Sequence, residues 1–172
     1  MMNRQPPSRV LGMFCAAVAA LLLSACQPEP QDTKPGQPVA TRQKLFKAML
    51  REFEPMGVML REGPFDAARF EGHFRRFLDL AEKPWPYFRE DTCYPPAKVK
   101  PQTCTDLAGF ERRKEAFLGA VAGLNTAVQK ELGTLAPQGS AKAETQARAA
   151  LKAAYDRVYD TCQDCHRDYR KK

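Results

Sequence analysis

Near the end of the chain, two cysteines and a histidine stand in the order Cys162-Gln163-Asp164-Cys165-His166. Thiols three residues apart share one face of a helix, and the imidazole that follows lies on the same side. This trio is the attachment sequence of c-type haem. Each thiol forms a thioether with one porphyrin vinyl group, and His166 brings a nitrogen to the iron from the proximal side. Other chemistries of paired cysteines fit less well. Thiol–disulfide exchange places its Cys-x-x-Cys at a helix start behind a strand, where the dipole lowers the thiol pKa, whereas this pair closes a helical run. A zinc site needs a second close pair, and Cys93 and Cys104 stand too far apart to supply one.

The elements that must position these residues read as helices. At 172 residues, 44% hydrophobic and 27% charged, the chain has enough apolar matter for one core and too little for a polytopic membrane protein. Its net charge of +7 is spread along the sequence without the dense basic stripe of a nucleic-acid reader, so no nucleic-acid partner is expected. Arg42, Phe46, Met49, Phe53, Met56 and Leu60 recur at alternating spacings of four and three and define a first helix, which Pro55 should kink near Arg51. Asp66 can cap a second helix with the stripe Phe70, Phe74, Phe77, Leu78 and Ala81, stopped by Pro84 and Pro86. Thr105 or Asp106 can cap a third, running along Phe110, Phe117, Val121, Leu124, Val128 and Leu132 to a stop at Gly133. Ser140 opens a fourth, with Ala147, Leu151, Ala154, Val158, Cys162, Cys165 and Tyr169 on one face. No stretch alternates with period two. The expected fold is all-α, an antiparallel four-helix bundle over residues 41–172, with a long proline-rich connection between the second and third helices.

The first 25 residues carry Arg4 and Arg9, no acid, and an apolar run from Val10 to Leu23 too short to span a bilayer comfortably, so they read as an export signal. Its ending, Leu23-Ser24-Ala25-Cys26, resembles the lipobox of bacterial lipoproteins, which implies that Cys26 is a lipid anchor and the mature N-terminus. The alternative is a plain secretory signal cut near Ala25, leaving Cys26 as a lone thiol. Residues 26–40, with four prolines and few apolar side chains, read as a disordered tether. Export agrees with haem attachment, which takes place outside the cytoplasm, so the expected location is the periplasmic side of a bacterial membrane. Once Cys15 leaves with the signal, Cys26 takes lipid, and Cys162 and Cys165 take haem, two cysteines remain. A structural disulfide between Cys93 and Cys104, pinning the proline-rich connection, is the simplest assignment. A redox-switching pair is the alternative.

A haem motif at the C-terminus of the last helix of a bundle resembles cytochrome c′. The resemblance covers most of residues 41–172 and rests on Arg42-Gln43, Phe53-x-x-Met56, Pro64-Phe65-Asp66-Ala67-Ala68, Pro84-Trp85 with Phe88, and Cys162-Gln-Asp-Cys165-His166-x-x-Tyr169-Arg170. It implies one covalent haem c, with His166 as proximal ligand and Arg170 packed against that histidine. It also implies Arg42 and Gln43 beside the propionates, and Phe46 in the apolar distal position over the iron, where leucine is common. Phenylalanine offers no lone pair, so His166 alone should leave the iron five-coordinate and largely high-spin. In related low-spin cytochromes of this fold a methionine ligates the iron. Met49, one turn along, is the candidate for that role and otherwise a core residue. His73, beside the second helix's stripe, reads as a partly exposed or hydrogen-bonded histidine in preference to an iron ligand, and Trp85 as core.

Two functions follow from this reading. An apolar pocket without a hydrogen-bond donor suits nitric oxide or carbon monoxide better than dioxygen, and the resemblance makes nitric oxide the expected ligand, held for sequestration or tolerance. The alternative is an electron-transfer cytochrome, low-spin through Met49, whose basic surface meets an acidic redox partner. A third class, a lipoprotein without haem, requires the motif to be accidental. No acid/base pair or distal histidine accompanies the iron, so an enzyme is not indicated. Family members pair through their first two helices, which puts a homodimer among the partners the resemblance implies.

Overall fold

The structure, a computed structural model, describes residues 31–134 and 140–171. The signal segment, Cys26 and the first part of the expected tether lie outside these. Four helices account for the bundle: α1 Pro38–Arg61, α2 Ala67–Leu80, α3 Leu107–Thr134 and α4 Ala141–Tyr169. Among the described residues the only β pairing is an isolated antiparallel bridge between Val99 and Arg170.

Each helix start has an identifiable cause. Asp66 accepts from the Arg69 N–H at 2.9 Å, Asp106 from the Gly109 N–H at 2.9 Å, and Ser140 from the Ala143 N–H at 3.3 Å. The start of α1 corrects the expected boundary. Left-handed φ angles at Gly36 (74°) and Gln37 (43°) turn the chain back on itself, and Pro38 opens the helix without an N–H to satisfy. The next two donors, Val39 N–H and Ala40 N–H, reach the Asp32 carboxylate at 2.8 and 3.0 Å, and the Tyr94 hydroxyl donates to the same group. Asp32 is 5% exposed. Composition alone put 26–40 in a disordered tether, but from Asp32 onward the chain is bonded to the bundle.

Core packing follows the apolar stripes. Met49, Phe53, Met56 and Leu60 of α1 meet Phe70, Phe74 and Phe77 of α2, Phe117, Val121, Leu124 and Val128 of α3, and Leu151, Tyr155 and Val158 of α4. Three details depart from expectation. Helix α1 continues through Pro55, where Phe53 and Met56 are both buried and hold the backbone in register. Helix α3 passes Gly133 instead of stopping there. On α4, Tyr155 is fully buried and Ala154 only half-buried, because the larger side chain fills the crossing with α1.

That crossing positions the site. The Phe53 and Tyr155 rings stack at 4.1 Å with 11° between their planes. A Cβ on Gly57 would run into the Tyr155 phenol, so only glycine lets the two helices approach this closely. Arg148 then donates to the Leu60 and Gly63 carbonyls at 3.0 and 2.8 Å. Helices α1 and α2, like α3 and α4, pack closely, while both seams between these pairs, α1–α4 and α2–α3, are contacted far more sparsely. The α1–α4 seam is drawn close at Gly57. His73 joins α1 to α2, bonding Glu52 at 2.8 Å beside Arg76, as its reading as a hydrogen-bonded histidine requires.

Candidate functional site

Helices α1 and α4 are antiparallel where Phe53 faces Tyr155, so two turns along each, away from Gly57, bring Phe46 level with Cys162. Phe46 and Cys162 are both half-buried and both pack against the core. Cys162 and Cys165 are the free cysteines among the described residues, whereas Cys93 and Cys104 form a disulfide. Burial pushes the Cys162 thiol up to about 12 and the Cys165 thiol up to about 11. Dithiol oxidoreductases need the opposite shift, so the surroundings do not favour thiol exchange. His166 is exposed at the helix surface, and among the described residues no group hydrogen-bonds its ring. Partial desolvation of the ring, and then the charge of Arg170, pull its pKa down, which favours the neutral imidazole that a ligand must be.

On the α1 side the candidate residues divide. Phe46 meets Trp85 edge-on at 5.6 Å and Phe88 at 6.0 Å. From Phe88 the rings continue to Phe110 at 4.8 Å and to Tyr169 at 5.4 Å, so an aromatic chain links the proposed distal residue to the turn after His166. Trp85 is part of this cluster and donates to the Ala81 carbonyl at 2.7 Å. Met49 is buried in the core cluster beside Phe53. Arg42 is 2% exposed and grips the α2–α3 connection: Nη1 donates to the Tyr87 carbonyl and the Thr92 hydroxyl, and Nη2 to the Thr92 carbonyl, each at 2.8 Å. Its guanidinium also lies 4.4 Å from the Phe88 ring centre. Gln43 donates to the Pro96 carbonyl at 3.2 Å. Both residues therefore hold the connection that carries the disulfide, a role that spacing did not reveal.

The far end of α4 is tied from two directions. Arg113 of α3 pairs with Asp168 at 2.6 Å and Asp164, inside the motif, at 3.4 Å, while the Tyr169 hydroxyl donates to Asp106 at 2.8 Å. Burial and that bond push the Tyr169 phenol up to about 12. Lys100, Gln102 and Thr103 of the connection donate to the last carbonyls of the helix. The sequence held one signal for these ties, Asp164 and Asp168 a turn apart on the face opposite an arginine-bearing helix; the rest depends on contacts between distant segments.

Two unpaired thiols and an unbonded imidazole on one helix face, level with an aromatic side chain across a sparsely packed seam, form a donor set that fits haem c. The fold and site define a class, the c-type haem proteins built on helical bundles. The family model described as Cytochrome C' matches residues 37–170, and the chain belongs to that family. Its cofactor is haem c. A cytochrome c′ from Alcaligenes xylosoxydans xylosoxydans is 27% identical over 143 residues, spanning 83% of this chain and 99% of that one. One from Cereibacter sphaeroides is 30% identical over 139 residues, spanning 78% and 83%. The solved nitric oxide complex of a leucine-to-alanine variant of the Alcaligenes xylosoxidans protein superimposes with a TM-score of 0.65 at 26% identity, covering 81% of this chain and 98% of that one.

Proposed function

We propose that this protein holds nitric oxide, with carbon monoxide as a second ligand, at a five-coordinate haem facing the periplasm, tethered to the membrane through lipid on Cys26. When bound, haem c would supply an iron able to take a diatomic gas, with His166 as its protein ligand. Cys162 and Cys165 would hold the group on α4 as thioethers. The observation that carries the reading is the packing of Phe46 on Trp85 and Phe88, on the turn of α1 that helix register from the Phe53–Tyr155 stack sets opposite Cys162. A side chain without a lone pair crowds the distal side and leaves the gas place free of a protein ligand. The nitric oxide complex of a relative supports the same class of ligand.

Arg42 has five N–H donors and uses three on the connection, which leaves two for a haem propionate. Arg170 lowers the pKa of His166 by its charge and belongs to the proximal side. Met49 lies in the core, which favours packing over ligation and sets the electron-carrier reading second. We read the activity as binding for sequestration or tolerance, not as turnover. The test is carbon monoxide association to the ferrous protein. Replacing Phe46 with alanine should speed it by tenfold or more, equivalent to about 1.4 kcal/mol of steric hindrance removed. Equal rates in the two proteins would remove Phe46 from the distal side.

A further inference from the structure

Arg170 caps the helix that carries His166: its N–H donates to the His166 carbonyl at 3.0 Å, and there the helical path ends. Its φ of −101° and ψ of 137° are extended, and its neighbours are fixed by the α2–α3 connection. The Lys100 N–H donates to the Tyr169 carbonyl at 2.8 Å and the Lys171 N–H to the Lys98 carbonyl at 3.2 Å, an antiparallel bridge that sets Val99 opposite Arg170. The same stretch satisfies the last carbonyls of α4. The Lys100 ammonium reaches the Arg167 carbonyl at 2.6 Å, the Gln102 amide reaches that of Asp168 at 3.0 Å, and the Thr103 hydroxyl reaches that of Tyr169 at 3.1 Å. Helix ends commonly leave such carbonyls to water or a glycine turn. Here a remote segment takes three in succession, immediately after the proximal histidine. The Cys93–Cys104 disulfide brackets that segment, and Arg42 clamps Thr92 beside it.

We propose that the disulfide-closed segment 93–104 is a positioning strap for the proximal side of the haem. By fixing the backbone before and after Arg170, it sets where the guanidinium lies beside His166 and so governs how tightly a gas is held. The proposal rests on the haem reading given above. Lys100, Gln102 and Thr103 are positioning residues that act through Arg170 and touch neither cofactor nor gas. A mere helix cap would affect stability alone and leave gas release unchanged.

The test measures nitric oxide release from the ferrous holoprotein by stopped flow, together with hydrogen exchange at the Lys171 amide. Lys100 has φ −75° and ψ 156°, which proline also adopts, so Lys100→Pro removes both of its donors with little backbone change. That variant and Cys93→Ser/Cys104→Ser should exchange the Lys171 amide about tenfold faster and shift the release rate by about threefold, in the same direction as Arg170→Ala. Adding Lys100→Pro to Arg170→Ala should change the rate no further, because both act through one group. Should Lys100→Pro fail to take up haem, Thr103→Val removes a single donor and should give a smaller shift of the same sign. Faster amide exchange with an unaltered release rate, or effects that multiply with Arg170→Ala, would overturn the strap. If Arg170→Ala itself leaves release unchanged, the proximal assignment of Arg170 falls, and the strap with it.

Discussion

Gly57 and Arg42 show how single positions support the site. A methyl group at Gly57 would meet a Tyr155 ring already stacked on Phe53, so Gly57→Ala should destabilise the protein by about 1–3 kcal/mol despite the better helix propensity of alanine. Tyr155→Phe, which removes the nearest atom, should recover part of that loss in a urea titration. Equal stability of Gly57→Ala and the parent would show that α1 and α4 do not meet there. Arg42 presents a planar fork to Tyr87 and Thr92 that a lysine ammonium cannot reproduce. Arg42→Lys should cost about 2–4 kcal/mol through buried acceptors left without partners, read as a lower urea midpoint. At this scale the haem motif was legible because its residues are adjacent in sequence. The grip of Arg42 on Thr92 was not, since it joins segments that only the finished fold brings together.

Among the elements, three helix starts could be read from capping residues within the next turn, because a side chain three residues from the N–H it accepts needs no tertiary information. The start of α1 could not. Its cap is Asp32, delivered by a left-handed turn and held by Tyr94 from the connection. Burial raises the pKa of Asp32, yet the bonds from Tyr94, Ala40, Lys34 and Val39 outweigh it and leave the carboxyl below its usual range. A carboxylate depressed in the folded state stabilises fully above its unfolded pKa of about 4, and that contribution is lost as pH falls through the folded value. Asp32→Asn should therefore lower stability at pH 7 and flatten the acid side of the stability profile. A parallel downward shift at every pH would contradict this. Pro55 and Gly133 are read as kink and stop by local rules, but in α1 the core anchors Phe53 and Met56 keep the helix going.

Across the whole molecule, the bundle is two tight hairpins whose α1–α4 seam is drawn close at Gly57 and Tyr155. Amphipathic periodicity predicts such a bundle, but not where the seam is tightest, because that depends on one glycine and one tyrosine crossing. Glu52 and Asp106 add to the acid response. Glu52 is raised by burial but lowered further by His73 and Arg76, and Asp106 is lowered chiefly by the Tyr169 hydroxyl. The urea midpoint should thus fall between pH 7 and pH 3, and an unchanged midpoint would contradict these assignments. The central claim is an iron bound by His166 on one side and left to a gas under Phe46 on the other. It is tested most directly by the absorption and electron paramagnetic resonance spectra of the ferric and ferrous holoprotein before and after nitric oxide. High-spin spectra that change on adding the gas are the predicted result; low-spin spectra indifferent to it would mean that a protein group such as Met49 fills the distal place.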